Sequence, residues 1–159
     1  MAVDAMGRIP TVLIYAVRGG QVLLMRRNKE PNRGLWIAPG GKIELDESPR
    51  DAARREMIEE TGLTPMDLRW RGFCTEVSPL PDWQWMLFIY VTHSVTGTLR
   101  PDLREGRLAW VDLETYFNDL EIPQADAIFA PHILGTESGM FEAKFVYDSD
   151  LKLVAWVAY

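Results

Sequence analysis

The chain has 159 residues, of which 47% are hydrophobic and 25% charged, and this length suits one domain, 1–159, with a proper core. A formal net charge of −6 argues against an electrostatic footprint for long nucleic acid, and a single cysteine, Cys74, excludes an intrachain disulfide. The opening MAVDAMGRIP lacks the apolar stretch of a signal peptide and no segment reaches membrane-spanning length, so a cytoplasmic protein is expected.

In chain order, Thr11–Val17 and Gln21–Arg26 read as two strands joined by a turn at Arg18-Gly19-Gly20. Pro39-Gly40-Gly41 then lets the backbone approach a ligand or simply turn. A helix follows. Ser48 suits its N-cap, Pro49 its first position, and Asp51 completes an S-x-x-D capping box. Ala53 and Met57 supply a small apolar stripe for packing on a sheet, and Gly62 fits the position past the end, where φ > 0 is needed. Leu68–Val77 and Trp83–Val95 read as longer strands around the turn Pro79-Leu80-Pro81-Asp82. Arg107–Val111 is a further strand, Leu113–Phe117 a helical turn, and residues 123–134 a helix with Pro123 at the start and Gly135 past the end. Phe141–Tyr147 and Leu151–Val157 read as a closing hairpin over Asp148-Ser149-Asp150. The order is mixed α/β. Cys74 lies in a strand and reads as a small core residue rather than a nucleophile, and neither His93 nor His132 stands at metal-ligand spacing.

The helix carries the chemistry. At about 100° per residue, Glu56 and Glu60 lie about 40° apart around its axis, with Glu59 about 60° to the other side of Glu56. Three carboxylates on one face suit a hard divalent cation, which takes oxygen ligands. A solvated acidic face is the alternative, and two costs count against it. Like charges at i,i+3 and i,i+4 each cost a few tenths of a kcal/mol. Glu59 and Glu60 also sit in the last turn, where the helix dipole disfavours anions by about 0.3–1 kcal/mol each. Breaking local rules without local compensation marks a functional site.

Residues 41–63, GKIELDESPRDAARREMIEETGL, resemble the signature box of the Nudix hydrolases, G-x5-E-x7-R-E-U-x-E-E-x-G-U with U a bulky apolar residue. Gly41, Glu47, Arg55, Glu56, Met57, Glu59, Glu60, Gly62 and Leu63 fill every defined position. The resemblance implies an α/β/α sandwich with a mixed β-sheet and hydrolysis of a nucleoside diphosphate linked to another group. It implies Mg2+, with Mn2+ as a substitute, held by Glu56, Glu60, Glu59 and the Gly40 carbonyl, and Arg55 paired with Glu47 to orient the loop. The chemistry implied is in-line attack of an activated water on phosphorus, with the general base unassigned among the glutamates.

Further likenesses point to the MutT-type branch, which cleaves nucleoside triphosphates, including oxidised purines such as 8-oxo-dGTP, to the monophosphate and pyrophosphate. Trp36-Ile37-Ala38-Pro39-Gly40-Gly41-Lys42 is similar to a W-x-x-P-G-G-K segment, and Glu105-Gly106-Arg107-Leu108-Ala109-Trp110 resembles an E-x-R-x-x-W element whose glutamate reaches a metal. Residues 122–126 with Phe129 and Phe141 resemble the C-terminal lid of the mammalian-type oxidised-purine triphosphatase, and Thr11 and Arg26 fall where substrate contacts lie. There are departures: Ile37 replaces a base-reading asparagine, and Ile122-Pro123-Gln124-Ala125-Asp126 replaces W-P-D-D, leaving Asp126 after a one-residue shift.

Trp83 and Trp85 alternate onto one strand face and suit either stacking on a base or filling the core; Phe88 and Tyr90, on the other face, read as core. Arg26, Arg27, Lys29, Arg33 and Lys42 flank the loop ahead of the helix, within reach of phosphates as a group. The favoured partner is thus a small nucleotide, a modified purine triphosphate. The runner-up is another diphosphate: ADP-ribose, a dinucleoside polyphosphate or a sugar nucleotide. A nucleotide-sensing module without catalysis comes third, because such modules typically lose box glutamates. The sequence leaves the oligomeric state, monomer or homodimer, open.

Overall fold

The computed structural model describes residues 7–100, 102–136 and 139–159; residues 1–6, the start of the expected single domain, lie outside them. The chain opens with two antiparallel strands, β1 (Ile9–Arg18) and β2 (Gln21–Arg27), joined by Gly19 and Gly20 at φ 55° and 78°. Short strands β3 (Trp36–Ile37) and β4 (Gly40–Lys42) precede helix α1 (Pro49–Thr61). Then come β5 (Leu63–Pro65), β6 (Arg69–Val77), β7 (Trp85–Thr92), β8 (Val95–Gly97), β9 (Asp102–Leu103) and β10 (Gly106–Asp112). Helices α2 (Leu113–Asn118) and α3 (Gln124–Leu134) lead into the closing strands β11 (Phe141–Tyr147) and β12 (Leu153–Ala158).

The main sheet runs β12-β11-β6-β7-β1-β2-β10-β9, with β3 added to β2 and β4 to β1. It is mixed: β1 pairs with β7 and β11 with β6 in parallel, while the other pairings are antiparallel. Along β1 the buried residues alternate between two cores. Val12, Ile14 and Ala16 face Ala52, Ala53 and Met57 of α1, whereas Leu13, Tyr15 and Val17 face Phe129, Ala130 and Ile133 of α3. Strands apolar on both faces require a helix on each side, and this is the α/β/α sandwich that the Nudix resemblance implied.

Two local features position the site. One edge of β1 is shared, with Thr11–Leu13 pairing with β4 and Val17–Arg18 with β2, so the sheet opens at the Gly40-Gly41 segment. Helix α1 buries only Ala52, Ala53, Met57 and Thr61, and the two alanines let it lie close over β1 and β4. Its ends form as the sequence requires. The Ser48–Asp51 capping box is complete at 3.0 and 3.2 Å, and Gly62 stops the helix at φ 80° with its N–H on the Ile58 carbonyl at 2.9 Å.

The strand expected over 83–95 is shorter. Trp83 and Gln84 belong to the preceding turn, where Ser78 and Gln84 bind the 78–83 carbonyls. At its far end Asp67 accepts from the Thr92 hydroxyl and the His93 and Ser94 N–H groups, turning Val95 into a separate two-stranded sheet with β5. The final strand starts at Leu153 rather than Leu151, because Leu151 sits at φ 58° in the turn.

Candidate active site

Arg55 organises the acidic end. Its Nε and Nη2 donate to the two Glu47 oxygens at 2.6 and 2.8 Å, the bidentate fit of a guanidinium to a carboxylate. Nη1 donates to Glu56 Oε1 at 2.8 Å and Glu59 Oε2 at 3.1 Å, and Nη2 also reaches the Lys42 carbonyl at 3.1 Å. The Arg55 guanidinium and the Glu44 N–H hold the Glu47 carboxyl down at a pKa of about 2. The 42–47 loop is thereby tied to the helix.

Behind Arg55 stand acids with little compensation. Glu60 accepts one hydrogen bond, from the Gly40 N–H at 3.0 Å, and burial pushes its pKa up to about 8, with Glu56 and Glu105 repelling from nearby. Glu56 is raised too, by burial first and by the Glu59 and Glu105 charges, against the pull of Arg55. Gly41 lies against this group; a side chain there would strike the Glu56 carboxylate. Glu59 differs, with its side chain 61% exposed beside Arg55. With Arg55 on Glu56 and Glu59, no three acidic, histidine or cysteine side chains of the described residues converge as metal ligands. The donor set still matches a hard divalent cation in chemistry: Glu56 and Glu60 are oxygen donors destabilised by burial and mutual repulsion, which a cation would relieve.

The opposite face of the sheet holds a second acidic feature. Asp126, in the first turn of α3, is buried with its carboxyl raised far above its ordinary range, by burial first and then by Glu76. Glu76, on β6, is raised to about 7 by burial, and the Tyr147 hydroxyl donates to it at 3.3 Å. Tyr15 and Tyr116 share a hydroxyl contact at 3.2 Å in the same core. Trp83 packs edge-on against Tyr147 and Trp85, at centroid distances of 4.5 and 6.2 Å, and with Trp36 the two indoles stay half-buried at the margin. Cys74 lies beneath, its thiol pushed up by burial, which is the state of a core thiol rather than a nucleophile.

The structure thus separates the residues singled out from sequence. Glu47, Arg55, Glu56, Glu59, Glu60 and the Gly40 backbone come together, with Glu105 in the turn before β10 close enough to act on Glu56 and Glu60. Asp126, Trp83 and Trp85 gather on the other face. Thr11 and Lys42 stand opposite each other on β1 and β4. Ile37 packs toward the α1 side, so this position lies away from Asp126. Glu76 was missed. Its signal was a glutamate two residues after Cys74 in a strand, the alternation that places both in one core.

Residues 7–133 match the family model of the NUDIX domain. The chain belongs to the Nudix family. It is 34% identical over 143 residues to the uncharacterized Nudix hydrolase YvcI of Bacillus subtilis (strain 168), covering 86% of this chain and 85% of that one. It superposes on the crystal structure of a MutT protein from Bacillus halodurans with a TM-score of 0.85 at 28% identity, covering 94% and 97% of the two chains. A shorter match, 42% identical over 52 residues and 33% of each chain, links it to the oxidized purine nucleoside triphosphate hydrolase of Danio rerio. This Nudix hydrolase therefore acts on phosphoric anhydrides, and its family uses divalent metal ions and binds small nucleotides. No helix among the described residues is long and apolar enough to cross a membrane.

Proposed function

We propose that the whole chain acts as one Nudix domain in the cytoplasm, a magnesium-dependent hydrolase of oxidised purine nucleoside triphosphates such as 8-oxo-dGTP. It releases the monophosphate and pyrophosphate and so clears damaged nucleotides. The observation that carries the substrate reading is the buried acid pair Glu76 and Asp126 beside Trp83 and Trp85. A carboxyl whose protonated form is favoured by burial can donate as well as accept a hydrogen bond, which matches the adjacent N–H and C=O groups on a purine edge. An indole offers a stacking face worth about 1–3 kcal/mol per base.

Glu56 and Glu60, with Glu59, Glu105 and the Gly40 carbonyl, would hold the metal ion. Bound there, it lowers the pKa of water and offsets the negative charge of the phosphates. The chain's own residues do the rest. Arg55 fixes the loop through Glu47 and keeps Glu56 and Glu59 aligned, while Gly40 and Gly41 let the backbone close on the carboxylates. Thr11, Arg26 and Lys42 contact the substrate between the two faces. Water adds to one phosphorus of the anhydride and gives a proton to one of the glutamates, while the bridging oxygen leaves with the other phosphate fragment.

A substrate panel tests this: dGTP, 8-oxo-dGTP, 2-oxo-dATP, ADP-ribose and a diadenosine polyphosphate, each with magnesium and with chelator. An oxidised purine triphosphate should lead in kcat/KM by about tenfold or more, releasing pyrophosphate only with the metal present. Preference for ADP-ribose or the dinucleotide overturns the substrate and leaves the hydrolase in place.

A further inference from the structure

Strands β2 and β10 set two arginines directly opposite each other, Arg26 facing Arg107. Like charges opposed across a ladder destabilise it. On its other side Arg107 stands opposite Asp102 of β9, whereas no ion pair among the described residues involves Arg26. Arg27 and Arg33 join them around an open recess of about 620 Å3 that Asn28 and Gly106 also line. Four guanidiniums share one recess on a protein of net charge −6.

The recess is held in shape by backbone carbonyls. Arg26 Nε donates to the Gly34 carbonyl at 3.3 Å, and Arg27 Nε donates to those of Pro31 and Lys29 at 2.8 and 3.3 Å. These bonds use only Nε, so the terminal nitrogens of both forks have no hydrogen-bond partner among the described residues. The loop itself closes on β2 through Gly34 N–H to the Arg27 carbonyl at 2.8 Å, with Gly34 at φ 82°. Asn28 clips the far side, its N–H on the Glu105 carbonyl and its Nδ2 on the Arg104 carbonyl, each at 3.0 Å. This recess borders the acidic site. Glu105, held by Asn28, acts on Glu56 and Glu60, and the Arg27 charge reaches Glu60.

We propose that the arginine recess seats the terminal, non-scissile phosphates of the substrate, so that the enzyme selects a chain of three or more phosphates over a diphosphate. The inference rests on the triphosphatase reading above and names the feature that distinguishes such a substrate. Planar guanidinium forks fit phosphate oxygens in pairs, and their fixed charge matches a polyanion that a single cation would leave uncompensated. Lys42, grouped with these residues by sequence, lies opposite Thr11 on β4 and does not line the recess.

The test is calorimetric binding of inorganic tripolyphosphate to the full chain in EDTA, which needs neither metal nor turnover. Its failure is therefore distinguishable from failure of the substrate panel. Arg33→Gln/Arg107→Gln should weaken binding by about tenfold or more, the cost of lost charged contacts. Arg33→Gln alone, on the loop, should move it the same way. Lys144→Gln/Lys152→Gln removes the same charge from β11 and the β11–β12 turn and should leave binding unchanged. Tripolyphosphate should compete with a nucleoside triphosphate in the magnesium assay, which ties the recess to the nucleotide's own phosphate tail. Equal binding by the arginine variants and the wild type overturns the proposal. So does an equal loss in the lysine variant, or inhibition that excess nucleotide does not relieve.

Discussion

Replacing Glu76 with glutamine should stabilise the protein in alkaline solution and change it little in acid. Glu76 is buried on β6 with a pKa of about 7 against an ordinary 4.5, and desolvation is the main cause. The folded state therefore holds this proton more tightly than the unfolded chain. Between those two values it binds more protons, so stability falls as pH rises and the full cost is reached above pH 7. The interval corresponds to about 3 kcal/mol, of which about 2–3 kcal/mol develops between pH 5 and pH 8. Glutamine keeps the shape and an oxygen for the Tyr147 hydroxyl, which now donates at 3.3 Å, but carries no charge. Urea denaturation of both proteins at pH 5 and pH 8, in chelator, measures the difference. If the two midpoints stand equally far apart at both pH values, Glu76 does not titrate in this interval and the buried-acid argument fails.

Glu60→Gln should lower kcat/KM by about 100-fold or more, the scale of losing a group that stabilises transition-state charge. The same variant should melt higher than wild type in chelator at pH 8 and above, because the raised Glu60 pKa of about 8 makes its ionisation a burden on the fold. Retained turnover with ordinary magnesium dependence would refute its role. Gly62→Val places a Cβ 2.5 Å from the Thr98 carbonyl oxygen at φ 80°. It should cost more than about 1 kcal/mol, a fall of roughly 2–4 °C in Tm for a domain of this size. An unchanged melting curve would show that the helix end does not need the left-handed conformation.

The sequence by itself determined α1 and its chemistry. Capping, apolar stripe, terminal glycine and the three glutamates are all encoded within one segment, and local spacing fixes which side chains share a helix face. The pairing of Arg55 with Glu47, which lies before the helix, was legible only through the resemblance to the Nudix box. Tertiary structure decided what depends on distant segments meeting. The β7 strand ends at Thr92 because Asp67, from another part of the chain, takes its hydrogen bonds. Glu76 and Asp126 come from β6 and α3 and meet only when both pack on one face of the sheet. Arg107 is visible in the sequence as the arginine of the E-x-R-x-x-W element, but only the β2–β10 register sets it opposite Arg26. Helix-face chemistry follows from a 3.6-residue period, which the chain carries in its own order. Cross-strand and cross-layer neighbours follow from register and burial, which only the assembled sheet supplies.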